Sequence, residues 1–268
     1  MPTRLKMTDE EYDDLLFAAV RCAREAGEII MSYFRKNDIG IQAKRGNESD
    51  IVTAADKASE RHIIDFIHDN YPGHSILSEE SGSESHDSGF LWVIDPLDGT
   101  TNFSAGLPNF SVSIGINFNG ETIVGVVYAP YLGELFHAVK GGGAYLNGER
   151  IYTGAKQRLD QCVVATGFPV DKDVNPDNNL DNVSRVLPLV RGMRRLGSAA
   201  IDISYVAAGF LDAYWEMNLH EWDVCAGLLI ASEAGAKHDS FRQDRNISVI
   251  VGSPHVEAQI LPLLSGDK

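Results

Sequence analysis

Cysteine is scarce in this chain. Cys22, Cys162 and Cys225 are its only three. They are odd in number and far apart, which argues against a disulfide framework or a zinc knuckle, and all three are expected to be reduced and buried as small apolar side chains. Basic residues are also in short supply: 23 Lys plus Arg face 38 Asp plus Glu, for a formal charge of -15. Such a balance repels the phosphate backbone of nucleic acids and anionic lipid surfaces, so general nucleic-acid binding is disfavoured. No apolar run approaches the roughly 20 residues that span a bilayer, and the opening Met1-Pro-Thr-Arg-Leu-Lys6 has no apolar core for a signal peptide. No membrane association and a cytoplasmic location are the resulting expectations. Internal repeats, low-complexity linkers and heptad runs are missing as well.

What is present suffices for a sizeable core, since 44% of the 268 side chains are hydrophobic. From about Asp9 to Lys36 apolar residues recur at helical spacing, and a second helix is expected over Thr53 to Asn70, with a polar turn from Lys44 to Asp50 between them. A β-rich stretch follows: Ser75–Leu77, Phe90–Ile94, Phe110–Phe118, Thr122–Tyr128 and Glu134–Val139, with Asn119-Gly120 as a hairpin turn. Beyond about Ile151 strands alternate with helices: Cys162–Thr166, a helix near Asp177–Val190, Ser198–Ala208, Ala213–Glu216, Trp222–Glu233, Ser248–Val251 and Pro254–Leu264. The expectation is an α+β half over residues 1–150 and an α/β half over residues 151–268, packed as one unit with the site between them.

The most informative segment is Leu91-Trp-Val-Ile-Asp95-Pro96-Leu97-Asp98-Gly99-Thr100-Thr101-Asn102-Phe103. An apolar strand runs into two carboxylates three apart, and Pro96 and Gly99 predict a sharp turn that aims Asp95, Asp98 and an intervening carbonyl at one point. Hard divalent cations favour such an all-oxygen shell. Further acids stand where strand or helix ends can deliver them: Glu79 after Ser75–Leu77, Asp223 at the start of an apolar helix, and Asp56, with Lys44 nearby, in the first turn of its own helix. Carboxylates gathered in one cleft repel each other by on the order of 4 kcal/mol per close pair at an effective dielectric near 20. Such a site requires cations, and with Mg²⁺ bound it becomes a phosphate clamp.

These residues resemble the inositol monophosphatase family over about Asp13 to Leu264. The matching blocks are Asp50-Ile-Val-Thr-Ala-Ala-Asp56, Ser78-Glu79-Glu80-Ser81, Trp92 to Phe103, Gly197-Ser198-Ala199-Ala200 and Glu216-Met-Asn-Leu-His-Glu-Trp-Asp-Val224; each is weak alone, and together in this order they are specific. The resemblance implies a layered α-β-α-β-α fold of the inositol monophosphatase and fructose-1,6-bisphosphatase type, a homodimer, inhibition by Li⁺, and two to three Mg²⁺ per site with Mn²⁺ as a substitute. It implies that Glu79, Asp95 and the Leu97 carbonyl hold one ion and Asp95, Asp98 and Asp223 a second, with a third held mostly by Glu79. It places Thr100 with Glu79 at the attacking water, Asp56 and Lys44 behind them, and the Gly99 and Thr100 amides on the phosphate. Glu216, Ala199, Asp98 and Asp223 then contact the alcohol part of a small phosphorylated polyol or sugar. Two departures concern selectivity: a short Gly82–Gly89 stretch, and Asn218 and Glu221 within the last motif.

Rival readings are weaker. The three-residue spacing of Asp95 and Asp98 rejects the Asp-x-Asp of haloacid dehalogenase-type phosphatases. Asp171-Lys-Asp-Val-Asn175 opens like a calcium loop but has Pro176 where Gly is needed and Asn182 where Glu is needed, so it reads as a surface loop. His220 reads as structural rather than as a base. Gly141-Gly-Gly143 has no following Lys-Ser or Lys-Thr and reads as a tight turn. The expected substrate is myo-inositol monophosphate, with fructose 1,6-bisphosphate, histidinol phosphate and nucleotide 3′-phosphates as alternatives. A regulatory or scaffolding role on this fold, as in bacterial relatives that bind transcription machinery, is the alternative from another class.

Overall fold

The computed structural model describes residues 8–44 and 46–264. The opening segment read above for a signal peptide therefore lies outside the described residues. Helix α1 (Asp9–Tyr33) starts on a capping box between Thr8 and Glu11 and buries one stripe, including Leu15, Ala19, Ala23, Ala26 and Ile30. Lys44 to Asp50 is not a simple polar turn: it belongs to a hairpin of β1 (Gln42–Lys44) and β2 (Asn47–Val52). Its residues are polar and largely exposed, so they lack the apolar alternation that marks a strand in sequence. Helix α2 (Ala54–Asn70) follows directly, capped by Thr53 and Asp56.

Then come β3 (Ser75–Ser78), β4 (Gly82–Glu84), β5 (Phe90–Asp98), α3 (Thr100–Ser104), β6 (Ser111–Phe118), β7 (Glu121–Ala129), β8 (Glu134–Val139), β9 (Gly143–Leu146) and β10 (Glu149–Arg150). Their strands form one eight-stranded sheet in the order β10-β9-β8-β7-β6-β5-β3-β4, antiparallel except for the β3–β5 pair. Asn119 and Gly120, both at positive φ, make the β6–β7 hairpin turn. The chain continues through β11 (Val163–Thr166), α4 (Leu180–Val186), β12 (Gly192–Arg194), α5 (Ala199–Ala207), β13 (Ala213–Leu219), α6 (Glu221–Glu233), β14 (Lys237–Ser240), β15 (Ile247–Gly252) and α7 (Pro254–Leu264). A second sheet of five strands runs β12-β11-β13-β15-β14. Helix α4 is shorter than the expected Asp177–Val190 span, because Asn179 stands at φ +75° before it and Pro188 lies in a 3-10 turn after it.

Helices α1 and α2 cover one face of the large sheet, α5 and α6 fill the space between the two sheets, and α4 and α7 cover the far face of the small one. This is the expected α-β-α-β-α order. Trp92, Phe103, Phe110, Phe136, Tyr214 and Trp215 are almost completely buried across these layers, and each such large side chain contributes about 1.5–3 kcal/mol through lost water contact. One packing detail positions the site. Gly115 on β6 and Gly125 on β7 pair across the ladder, and a β-carbon at either would collide with Cys225 or Ala226. The missing side chains let α6 lie directly on the sheet, which sets its first turn beside the end of β5. Cys22, Cys162 and Cys225 are all free and buried. Among the described residues no helix is long and apolar enough to cross a membrane.

Candidate active site

The segment from Asp95 to Asp98 does not turn as the sequence suggests. Strand β5 continues through it, pairing Asp95 with Ser113 and Asp98 with Ser111, so that three steps on β5 oppose two on β6. Pro96 is tolerated because this bulge needs no amide from it, and its carbonyl accepts the Ser59 hydroxyl at 2.8 Å. The bulge swings Asp95, the Leu97 carbonyl and Asp98 toward one side. The sharp turn comes one residue later, at Gly99 with φ +91°, where a β-carbon would sit 2.8 Å from the Asn109 carbonyl. Only glycine fits there.

Two other segments bring acids to the same place, and a third holds Asp98 there. Parallel pairing of β3 with β5 sets Ser78 opposite Ile94, and the next amide, of Glu79, reaches the Ile94 carbonyl at 3.3 Å, so Glu79 stands beside Asp95. Asp98 is held from the other side by the start of α5: its Oδ2 accepts the Ser198 hydroxyl at 2.5 Å and the Ala200 amide at 2.9 Å. Asp223, in the first turn of α6, accepts the His220 amide on Oδ2 at 2.6 Å. Asp95 Oδ1 accepts the Leu97 amide at 3.0 Å, and Glu79 Oε1 accepts Lys44 Nζ at 2.6 Å. In all four side chains one oxygen is tied down and the other has no hydrogen-bond partner among the described residues.

That pattern has an electrostatic consequence. Asp95 is 2% exposed, and burial together with the charges of Glu79, Asp98 and Asp223 holds its carboxyl well above the usual carboxylate range. Asp98 is pushed up to about 7, by burial first, with Asp223 and Glu79 adding to it against the Ser198 and Ala200 hydrogen bonds. Glu79 is raised by burial and by Asp223 and Asp56, with Lys44 opposing. Among the described residues no three acidic, histidine or cysteine side chains already form a tight metal shell. The donor set nevertheless fits a hard cation: all oxygen, anionic, one free oxygen each, and destabilised by mutual repulsion until positive charge arrives.

Lys44 is the ammonium at this edge, 2.6 Å from Glu79 and 2.5 Å from Glu80. It does not pair with Asp56. Asp56, completely buried, takes the Thr53 amide and hydroxyl on Oδ2 and the Thr100 hydroxyl on Oδ1 at 2.9 Å. Thr100 also lies 3.0 Å from the Leu97 carbonyl, whereas no hydrogen bond joins it to Glu79. The polar cleft over these residues has a volume of about 190 Å³ and is lined by Glu79, Asp98, Gly99, Thr100, Ala199, Glu216 and Asp223, among others. Asp95 lies beneath it. Glu216 rises from β13, its Oε2 accepting the Tyr214 hydroxyl at 2.5 Å, and burial pushes its carboxyl up to about 7.

Sequence reasoning missed Ser198 as the anchor of Asp98, Glu80 as the second partner of Lys44, and Asp202, a buried acid lining the same cleft. The signal for Asp202 was available, since it is the one charged residue in the apolar helix α5. Other motifs fall outside the cleft. The Gly141 and Gly143 amides hold the carboxylate of Glu233 at 2.7 and 2.8 Å, so that turn is already occupied. Asp171 is bound by Arg245 through both oxygens. His220 stacks on Trp222, and its imidazole is raised by Asp223. Asn218 pairs with Asn246 and Glu221 with Asn117; neither lines the cleft.

The chain is 42% identical over 252 residues to the Nus factor SuhB of Escherichia coli strain K12, an alignment covering 92% of this chain and 94% of that one. Two solved structures superpose closely. The extragenic suppressor protein suhB of Bartonella henselae has a TM-score of 0.88 at 35% identity, covering 95% of this chain and 100% of that one. The inositol monophosphatase of Anabaena (Nostoc) has a TM-score of 0.84 at 36% identity, covering 94% and 95%. The family model described as the inositol monophosphatase family matches residues 11–265, nearly the whole span over which the five layers and the acidic cleft are built, and the chain belongs to that family.

Proposed function

We propose that this protein is a Mg²⁺-dependent phosphoric monoester hydrolase whose substrate is a small phosphorylated polyol, myo-inositol monophosphate first. One observation carries the reading: Glu79, Asp95, Asp98 and Asp223, from three separate elements, converge at one cleft with a free oxygen each, and burial and neighbouring charge raise the carboxyls of Glu79, Asp95 and Asp98. The name of the Anabaena neighbour supports the choice of inositol ester. Glu79, Asp95 and the Leu97 carbonyl are assigned to one Mg²⁺, and Asp95, Asp98 and Asp223 to a second, with a weaker third ion at Glu79 and Mn²⁺ as a substitute. The chemistry supplied by bound Mg²⁺ is neutralisation of the phosphoryl charge and activation of water.

The chain's own residues do the rest. The Gly99 and Thr100 amides, at the start of α3, bind the phosphate. Asp56 fixes the Thr100 hydroxyl by taking its proton in a hydrogen bond, which leaves a Thr100 lone pair to orient the attacking water. Glu79, made more basic by burial and its acidic neighbours, takes the proton of that water. The water oxygen bonds to phosphorus as the ester bond to the alcohol breaks, with no phosphoenzyme; the leaving oxygen takes a proton from a solvent water, and Glu79 returns its proton to solvent. Lys44 holds Glu79 in place, and Glu216, Ala199, Asp98 and Asp223 contact the alcohol. The division into halves at residues 150 and 151, a homodimer and a cytoplasmic location belong to the same reading.

The test is phosphate release from a panel of esters, with Mg²⁺ and with chelator. Turnover that chelator abolishes is expected, led by inositol monophosphate and inhibited by millimolar Li⁺. A preference of more than about tenfold in kcat/KM, some 1.4 kcal/mol, for a nucleotide 3′-phosphate, fructose 1,6-bisphosphate or histidinol phosphate overturns the inositol assignment. A second reading, a regulatory or scaffolding member of the fold, is favoured by the E. coli relative's name, Nus factor SuhB. Absence of turnover on every ester with Mg²⁺ present selects it.

A further inference from the structure

Asp202 has no place in the chemistry above, yet it is built into the cleft. Its amide continues α5 by donating to the Ser198 carbonyl at 3.0 Å. It is 1% exposed and lines the cleft, and among the described residues neither carboxyl oxygen accepts a hydrogen bond, with Oδ1 fully enclosed and unpartnered. A buried polar atom without a partner destabilises a fold, so native structures keep few of them and seldom without a reason. The surroundings narrow the reason. Glu216 and Asp98 repel Asp202, and Arg195 attracts it from an exposed position at the cleft rim. Glu216 itself is fixed: its Oε2 is bound by Tyr214, and it presses against Gly167, where a β-carbon would come within 1.9 Å of that oxygen. Its Oε1 has no hydrogen-bond partner among the described residues.

We propose that Asp202 is a second alcohol-recognition residue, which with Glu216 receives two neighbouring hydroxyl groups of the phosphorylated substrate in the cleft. The inference rests on the phosphatase reading and deepens it by naming the substrate feature that is read. Two carboxyl groups that cannot both bear charge comfortably offer one donor and one acceptor. A pair of adjacent hydroxyls, each both donor and acceptor, completes that arrangement. Burial and the charges of Glu216 and Asp98 hold Asp202 well above the ordinary carboxylate range, which favours its protonated, donating form. A site that hydrogen-bonds hydroxyls also rejects esters lacking them, because its own buried groups are then left unpaired.

The experiment compares kcat/KM for myo-inositol 1-phosphate and for phenyl phosphate, which has no hydroxyl neighbours, in the Mg²⁺-loaded wild-type protein, Asp202→Ala and Asp202→Asn. Thermal unfolding verifies that each variant is folded. Asp202→Ala is expected to lose at least tenfold more on the inositol ester than on phenyl phosphate, and Asp202→Asn, which keeps a donor and an acceptor, to recover most of that selectivity. Asp202→Leu, which keeps helix and volume, replaces the alanine variant if that chain does not fold. Equal losses on both esters mark a packing role and overturn the proposal, as does a ratio left unmoved. A wild-type protein that releases phosphate from neither ester removes the phosphatase reading and this inference together, whereas an active wild type with an unmoved ratio removes the inference alone.

Discussion

In the loop after β11, Asp171 and Asp177 each lie against an arginine: Arg245 grips Asp171 at 2.8 Å through both oxygens, and Arg242 reaches Asp177 at 2.7 Å. In the cleft, Asp95, Asp98 and Asp223 crowd one another, while Lys44 pairs with Glu79 and Glu80 instead. The same residue type accordingly behaves in opposite ways. Hydrogen bonds, from Asn175 to Asp171 and from Arg242 to Asp177, lead the effects that hold those two below the ordinary carboxylate range, while Asp95 and Asp98 are held above it. Acids that the fold neutralises itself are structural. Acids gathered by three separate elements and left without an arginine partner are, in the function proposed above, a binding site for positive charge, at a standing expense in stability.

The strongest way to break that contrast is Asp95→Asn. Its carboxylate is assigned to two ions at once, so kcat/KM with Mg²⁺ is expected to fall about a thousandfold, or roughly 4 kcal/mol of transition-state stabilisation. In chelator the same change removes a buried like charge while keeping an oxygen for the Leu97 amide. The metal-free protein is then expected to gain on the order of 1–3 kcal/mol in denaturant unfolding. Asp171→Asn in the arginine-bound loop should do the reverse, losing stability by about 1 kcal/mol with little effect on Mg²⁺ dependence. If Asp95→Asn instead destabilises the chelated protein, the cleft is not a store of repulsion.

A smaller effect follows from pH. A carboxyl whose folded pKa is raised binds more protons in the native state than in the unfolded one, so its contribution to stability is present at low pH and lost as pH rises toward the folded value. For Asp98, at about 7 in the fold, the window runs from about pH 4 to 7. In chelator the Tm is expected to fall by at least about 3 °C from pH 5.5 to 8, and Mg²⁺, which binds the ionised form, should abolish or invert the slope. His220, raised by Asp223, and Glu216, pushed up to about 7 by burial, act with the same sign, and Asp98→Asn removes only the Asp98 share of the slope. The arginine-bound acids contribute nothing here, because their stabilisation is complete above pH 4 and fades only as pH falls below it. A chelated protein whose Tm does not decline over this range refutes the assignment.

How far the site could be read in advance depended on locality. The chemistry-bearing residues of Asp95 to Thr100 sit in one segment, and the amphipathic stripe of α1 and the Asn119-Gly120 hairpin are local patterns that survive folding. The shape of the motif was misread because Pro96 and Gly99 both signal a turn, whereas cross-strand pairing with Ser113 and Ser111 carries β5 through Pro96 as a bulge. The β1–β2 hairpin was missed because its residues are too polar to show a strand period. Convergence of Glu79 and Asp223 on Asp95 depends on the parallel β3–β5 register and on the Gly115–Gly125 groove under α6. Neither is encoded next to the acids they place, so only the resemblance to a family brought these residues together.

The smallest expected effect returns to the arginine-bound loop. Phe168 and Val170, which begin it, line the cleft, while Arg245 ties Asp171 and the Asp177 carbonyl to the β14–β15 connection. Loosening that tie should move the cleft wall without touching the acids. Arg245→Gln keeps a donor but loses the charge and the fork, so it is expected to lower stability by about 1 kcal/mol and to raise KM about threefold with kcat nearly constant, as loss of uniform binding does. Mg²⁺ dependence should be unchanged. If kcat falls with KM unmoved, the loop acts on the reacting groups themselves, and the separation between a self-neutralised region and a cation-dependent one fails at the boundary they share.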